Sequence, residues 1–80
     1  MNARQKILTD LLTSPSTAST ASAITDHTDI PTAQVTIILQ REETAGLVET
    51  RTLQMLTIWS LTAEGRDIAL TYPPAPKLYP

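Results

Sequence analysis

The sequence predicts a small α+β domain that is mostly helical: a three-helix core, a two-stranded hairpin and a short C-terminal helix. Three observations predict this fold class. Apolar residues recur at helical spacing in the first half of the chain, and the period becomes alternating after Gly46. A chain of 80 residues with 41% apolar and 18% charged residues has the composition of one folded domain. We expect this domain to span residues 1–71, followed by a proline-rich, extended tail at 72–80.

The first helix is predicted over Ala3–Thr13. Asn2 is suited to cap it, with Gln5 three residues later in a capping-box arrangement. Ser14-Pro15 ends the helix, because the residue before a proline avoids helical backbone angles. Its buried face consists of four apolar residues at helical spacing: Ile7, Leu8, Leu11 and Leu12.

Two further helices are predicted, separated by a turn at residues 28–31. The second is short, with Ala18, Ala21 and Ile24 as a thin apolar stripe and its N-cap between residues 17 and 20. Pro31 suits the first position of the third helix, which is predicted over Thr32–Thr44. Gly46 is expected to stop that helix at positive φ. The buried face of the third helix is Val35, Ile38 and Leu39.

Two strands are predicted at residues 47–52 and 55–61, followed by a capped helix over Ala63–Leu70 with Thr62 as the N-cap. The turn type between the strands stays open, because Leu53-Gln54 contains no Gly, Asn or Pro. Alternation along the second strand places Trp59 in the core. Leu56 and Ile58 then lie on the opposite face as surplus apolar residues, which favours an interface over coverage by the last helix or the tail.

Three stretches resemble winged helix-turn-helix regulators of the MarR, PadR and phage types. The order of Ala18 to Ile24, a turn ending in Pro31 and then Val35 resembles the helix-turn-helix. The run Gly46-Leu47-Val48-Glu49 is similar to the signature that opens the wing, and WSLTAEGR at 59–66 resembles the strand-to-helix junction after it. The resemblance as a whole covers about residues 3–70. The resemblance implies a winged helix-turn-helix with a two-stranded β-wing and a short C-terminal helix.

One position departs from the family's pattern. Such regulators usually place a leucine four residues before the glycine, and this chain has Glu42 there, on the same face as Val35 and Leu39. A buried, unpaired carboxylate costs several kcal/mol, so Glu42 must be paired, protonated or turned to solvent. We expect it to turn to solvent near the helix end, with Ala45 and Leu47 closing the core.

The residues needed for catalysis or cofactor binding are scarce, and the sequence predicts a protein that is not an enzyme. It contains no cysteine and only two glycines, which excludes thiolate chemistry and glycine-rich phosphate loops. His27, between Asp26 and Asp29, is expected to be solvated and not to bind a metal. No cofactor or small-molecule ligand is expected. No apolar run approaches the ~18 residues of a membrane span, so a cytoplasmic protein is expected.

The resemblance implies a sequence-specific, double-stranded DNA-binding transcriptional regulator with the third helix in the major groove. A stand-alone winged helix of this length is similar in size to regulators of phages and other mobile elements and to archaeal ones. Gln34 and Gln40 are suited to adenine, and Arg41 to phosphate or guanine. The wing would contact phosphate or the minor groove. The expected DNA-binding residues are Thr32, Gln34, Thr36, Ile37, Gln40, Arg41, Thr50, Arg51 and Thr52.

Charge weighs against a DNA-binding monomer. The chain has a net charge of −2 with six lysines and arginines, so one copy would release few counterions from a duplex. DNA binding therefore requires self-association or a second DNA-binding partner, and a homodimer through Leu56 and Ile58 is expected. The alternative is a winged helix used only for protein–protein contact in a transcription, replication or chromosome-organising complex, which the acidic balance and the outward Ile37 favour.

Overall fold

The computed structural model describes residues 1–72 as a helical core packed on a small antiparallel sheet. The four helices are α1 (Ala3–Thr13), α2 (Ala21–Thr28), α3 (Thr32–Thr44) and α4 (Ala63–Leu70). The three strands are β1 (Ala18–Ser19), β2 (Val48–Leu53) and β3 (Leu56–Leu61), in the order β1-β3-β2. This confirms the predicted α+β class. Within residues 1–72, no helix combines the length and apolar character needed to cross a bilayer.

Three of the four helices have the bounds expected from the sequence, because their ends are encoded locally. At the start of α1 the Asn2 side chain accepts a hydrogen bond from Gln5 N at 2.8 Å, and the Gln5 side chain accepts one from Asn2 N at 3.1 Å. At the end of α3, Gly46 has a φ of +83°, as expected of a helix stop. The Thr62 side chain caps α4 by accepting from Gly65 N at 3.0 Å.

The second helix begins three residues later than its apolar stripe suggested. Ala18 is not helical but belongs to β1, where it pairs with Ser60, and Ser19 pairs with Trp59. Pairing with β3 overrides the weak helical pattern of an Ala-, Ser- and Thr-rich stretch. Thr20 then caps α2 by accepting from Ala23 N at 3.2 Å.

The α2–α3 turn is tighter than expected. α2 continues to Thr28 and ends on Asp29 in the left-handed region, with φ 61°. The next residue, Ile30, is buried in the core. Pro31 is the N-cap of α3 and not its first residue, and its carbonyl accepts from Val35 N at 3.0 Å.

The core lies where the four helices meet the inner face of the sheet. Trp59 is buried as expected, whereas Ile38 and Leu12 are only half-buried at its edge. Tyr72 packs against the same cluster. The rest of the predicted tail, residues 73–80, lies outside the described residues. The buried apolar residues are Ile7, Leu8, Leu11, Ile24, Ile30, Val35, Leu39, Val48, Trp59, Leu61 and Ala69.

The hairpin between β2 and β3 is closed by the two-residue turn Gln54–Met55, and both residues have positive φ, 50° and 69°. This is the backbone of a type I′ turn, which normally uses Asn-Gly or Asp-Gly. The sequence offered no such signal, so the turn type stayed open. Met55 belongs to the turn and not to the second strand, and its side chain is 96% exposed.

Thr62 links the start of β2 to the start of α4. Its hydroxyl donates to the Gly46 carbonyl at 2.7 Å, and its backbone N–H donates to the Leu47 carbonyl at 3.0 Å. α4 approaches Leu47 so closely that a Cβ on Gly65 would lie 1.9 Å from the Leu47 carbonyl oxygen. Only glycine at position 65 permits this contact.

The expectation for Glu42 is wrong, because the carboxylate is buried. Arg4 Nε on α1 donates to Glu42 Oε1 on α3 at 2.6 Å, and the Glu42 side chain is only 8% exposed. The partner lies 38 residues away in sequence, so no local pattern pointed to it. Ala45 is exposed and Leu47 half-buried, so Val48 closes this part of the core instead.

Gly65→Ala should destabilise the fold by about 3 kcal/mol, because α4 must move away from Leu47 to admit the methyl group. Ala63→Gly is the control, since it alters an exposed position of the same helix and should cost about 1 kcal/mol or less. Urea unfolding of the two variants measures the difference. Equal losses would contradict the close approach.

Arg4→Met should cost about 3 kcal/mol, because it leaves the buried Glu42 carboxylate without its partner. Glu42→Leu should cost less, since the Arg4 side chain is 44% exposed and can turn to water. The double variant should therefore be more stable than Arg4→Met alone. Free energies of unfolding for the three proteins decide this, and additive losses would show that the two residues do not interact.

Met55→Gly should raise the free energy of unfolding by about 1 kcal/mol, because glycine adopts positive φ without the penalty that a Cβ imposes. Such a change corresponds to a rise in Tm of about 4–8 °C for a domain of this size. Met55→Ala is the control, as it removes the exposed side chain but keeps the Cβ. An equal gain in both variants would indicate that side-chain exposure, not backbone strain, sets the effect.

Candidate nucleic-acid interface

Helix α3 presents a broad solvent-exposed face opposite its buried residues. Gln34, Gln40 and Arg41 are exposed on it, and Ile37 is exposed by 50%. The helix buries Val35 and Leu39, together with Glu42, on its inner side. Because the core holds that side, Gln34, Gln40 and Arg41 all lie on the outer side of one rigid element.

Three of the four predicted threonines, Thr32, Thr36 and Thr50, are already engaged within the domain. The Thr36 hydroxyl donates to the Thr32 carbonyl at 3.0 Å, and the Thr32 hydroxyl lies 3.1 Å from that of Thr25. The Thr50 hydroxyl donates to Glu43 Oε2 at 2.7 Å. The hydroxyl protons of Thr36 and Thr50 are therefore committed in this conformation, and these residues would need to rotate to donate to a phosphate.

A groove separates α3 from the hairpin. Its lining brings together three of the predicted contact residues, Thr36, Gln40 and Thr50. It also contains Glu43, a carboxylate that was not among the DNA-binding residues expected from the sequence. Glu43 repels phosphate and accepts hydrogen bonds only, so it favours a donor such as the N4 amino group of cytosine over an acceptor. Glu43 follows Thr36 by seven residues and Gln40 by three, so the three share one helix face. That spacing was the sequence signal by which Glu43 could have been predicted.

The two faces of the hairpin separate the predicted wing residues. Thr50 is paired with Trp59 and Thr52 with Thr57, so both threonines lie on the inner face, beside the groove. Arg51 is paired with Ile58 and lies on the outer face. The structure therefore does not bring Arg51 together with its two neighbours.

Neither a family model nor a curated protein matches this chain. Several solved structures, however, are similar to it. A MarR family transcriptional regulator from Streptomyces coelicolor is similar over 85% of this chain, with a TM-score of 0.78 and 28% identity. A mutant of ZitR from Lactococcus lactis matches over 88% of the chain, with a TM-score of 0.75 and 24% identity. BpsR from Bordetella bronchiseptica, whose DNA binding is regulated by 6-hydroxynicotinic acid, matches over 88% with a TM-score of 0.73 and 20% identity.

The chain has the MarR-type winged-helix fold. It spans about half the length of these structures, since the matches cover 48%, 49% and 51% of the longer chains. The structural match confirms the resemblance inferred from the sequence. In this fold α2 and α3 form the helix-turn-helix, α3 holds the position of the recognition helix, and the β2–β3 hairpin is the wing.

The wing tip is apolar, which is unusual for a surface expected to contact phosphate. Leu53 and Leu56 are exposed by 57% and 58% and pair with each other beside the turn residue Met55. Ile58, the second predicted interface residue, is half-buried. The sequence predicts Leu56 and Ile58 as interface residues but not Leu53 and Met55, because the position of the turn stayed open.

Positive charge near α3 is sparse. Of the five lysines and arginines within residues 1–72, Arg4 is paired with Glu42, and this hydrogen bond raises the pKa of Arg4 above its ordinary value. Only Arg41 and Arg51 lie on α3 and the wing. Lys6 and Arg66 are exposed on α1 and α4. Each copy of the winged helix therefore offers two arginines on the elements expected to meet DNA.

His27 lies at the end of α2 and pairs with a carboxylate on α1. Its Nδ1 is 3.0 Å from Asp10 Oδ1 and 3.2 Å from Asp10 Oδ2. Asp26 and Asp29, the neighbours that suggested a ligand set, are not part of this contact. Within residues 1–72 no group of three or more metal-ligating side chains is placed to hold an ion.

Proposed function

We propose that this chain is a small sequence-specific, double-stranded DNA-binding transcriptional regulator that works as a homodimer. The observation that carries the proposal is the exposed polar face of α3, in the recognition-helix position of a MarR-type winged helix. Two of the structural neighbours are a transcriptional regulator and a protein with regulated DNA binding, which supports the same class.

Base recognition is assigned to α3. Gln34 and Gln40 each carry an amide that pairs bidentately with adenine N6 and N7 in the major groove. Ile37 is exposed between them and suits the methyl group of thymine. Arg41 reaches a guanine edge or a phosphate. Thr32 and Thr36 lie near the N-terminal end of the helix, where hydroxyls and backbone N–H groups bind phosphate oxygens.

The wing is assigned to the DNA backbone or the minor groove. Thr50 and Thr52 lie on the face that continues the α3 groove. Arg51 supplies the only positive charge on the hairpin. Two arginines per copy release few counterions, so two copies on one operator are needed for useful affinity. A homodimer that includes Leu56 and Ile58 meets this requirement.

The second candidate function is a winged helix that binds another protein. The observation that favours it is the apolar surface on the elements that would otherwise meet DNA: Ile37 on α3 and Leu53, Met55 and Leu56 at the wing tip. Exposed apolar residues gathered in this way are typical of protein interfaces. Glu43 in the groove adds a negative charge on the same side.

DNA selected from a random pool, together with the DNA upstream of the coding sequence, should contain a preferred site. Gln34→Ala should weaken binding to that site by about 1–3 kcal/mol and change binding to random duplex little, because it removes a base contact. Fluorescence anisotropy at several salt concentrations measures both affinities. Equal loss on both duplexes would contradict a base-reading role for Gln34.

Arg41→Ala and Arg66→Ala form a matched pair for the same titrations. Arg41→Ala should reduce the slope of log K against log salt by about 0.9, the value for one phosphate contact. Arg66→Ala should leave the slope unchanged, since Arg66 lies on α4. Failure of the parent protein to prefer any sequence at low salt would reject the DNA assignment in favour of the protein-binding one.

A further inference from the structure

Strand β2 is an open edge of the sheet. The order β1-β3-β2 places β3 in the centre, so one side of β2 is paired and the other is not. Residues 49–53 are all exposed. The strand contains no proline and no lysine, the residues that commonly protect an exposed edge. Such an edge is a template for pairing with another strand.

The hydrogen-bonding pattern identifies which backbone groups face the open side. Thr62 N donates to the Leu47 carbonyl, while Leu47 N donates to the Glu42 carbonyl, so residues 47 and 62 occupy a hydrogen-bonded position of the ladder and form one of its two bonds. Hydrogen-bonded and non-bonded pairs alternate along an antiparallel ladder. Residues 49, 51 and 53 therefore bond to β3, and Val48, Thr50 and Thr52 direct their N–H and C=O groups toward the open edge.

The charges on β2 are complementary to a second copy of the same strand. Glu49 and Arg51 flank Thr50 and lie on the same outer face. We propose that two copies of this chain pair antiparallel through β2, with the two-fold axis at Thr50. Each Glu49 then lies opposite Arg51 of the second copy, and Thr50 exchanges both backbone hydrogen bonds with Thr50 of that copy.

The charges select this register over its neighbours. In a two-fold dimer, Val48, Thr50 and Thr52 of one copy form backbone hydrogen bonds only with the same three residues of the other copy. The two neighbouring registers are therefore reached by sliding one strand by two residues in either direction. One shift places Glu49 opposite Glu49, and the other places Arg51 opposite Arg51. Like charges directly opposite one another are destabilising, whereas the register centred on Thr50 alternates the signs.

The pairing joins two three-stranded sheets into one sheet of six strands. Leu53 and Ile58 lie on its outer face with the charged pairs. This arrangement draws on the proposed function for the second copy, but it places the homodimer interface at the β2 edge and not at Leu56 and Ile58 of the central strand β3. It also engages Arg51 in the interface, which leaves Arg41 for DNA. It is tested without DNA, so its failure is distinguishable from a failure to bind DNA.

The central experiment is a charge-swap series measured by sedimentation equilibrium over the micromolar range. The parent should dimerise, and Arg51→Glu and Glu49→Arg should each raise the dimer Kd about tenfold or more, because each places two like-charged pairs in the interface. An equimolar mixture of the two variants should recover the parental Kd as a heterodimer. The double variant Glu49→Arg/Arg51→Glu should recover it as a homodimer.

Matched controls separate this interface from other effects of charge. Arg66→Glu and Asp67→Arg are exposed reversals on α4 and should leave the Kd unchanged. Thermal melts of all variants check that the fold persists. A monomeric parent, or a dimer that none of the swaps weakens, overturns the proposal, as does a failure of the mixture to recover association.

A cysteine pair tests the register directly, because the chain has no cysteine of its own. Thr50→Cys should form a disulfide with itself, since hydrogen-bonded antiparallel partners lie about 5.5 Å apart at Cα, within disulfide range. Thr52→Cys changes the same residue type on the same face, but its partner in this register is Val48. It should not cross-link to itself, and equal cross-linking of both variants would overturn the register.

Discussion

The contact between Leu47 and the start of α4 is the constraint on which the rest of the arrangement depends. Thr62 donates to two successive carbonyls, those of Gly46 and Leu47, while it caps α4. The end of α3, the start of the hairpin and the start of α4 therefore meet in one cluster of hydrogen bonds. The absent Cβ of Gly65 lets α4 approach. This cluster therefore connects α3, the hairpin and α4.

A second contact, the ion pair between Arg4 and Glu42, joins α1 to α3. It also has an electrostatic consequence. It commits one of the few cations to a structural pair on the far side of α3 from the exposed face. This leaves Arg41 and Arg51 as the arginines of α3 and the hairpin. If the chain binds DNA as proposed, its affinity must come from base contacts and from joining copies, because two arginines per copy release few counterions.

Much of the fold could be predicted because its signals are local. The Asn2–Gln5 capping box, the Gly46 stop and the Thr62 cap are each read within a few residues, and they fixed the bounds of α1, α3 and α4. The features that were missed depend on partners distant in sequence. β1 forms only because β3 pairs with it, and Glu42 is buried only because Arg4 on another helix meets it.

The candidate site was predicted only in part, because some of its features also depend on partners distant in sequence. Helical spacing is enough to place Gln34, Ile37 and Gln40 on an exposed face, but the faces of the wing depend on register. Pairing across the hairpin places Thr50 and Thr52 beside the groove and Glu49 and Arg51 on the opposite face. A strand with a period of two can therefore serve two surfaces at once. The inner face is available for DNA, and the outer face, with its alternating charges, is available for a second copy of the chain. In the proposed dimer Thr50 serves both surfaces, because its side chain lies on the inner face and its backbone pairs with Thr50 of the second copy. Arg51 is engaged there by Glu49 of that copy, so the wing residues left for DNA are the threonines.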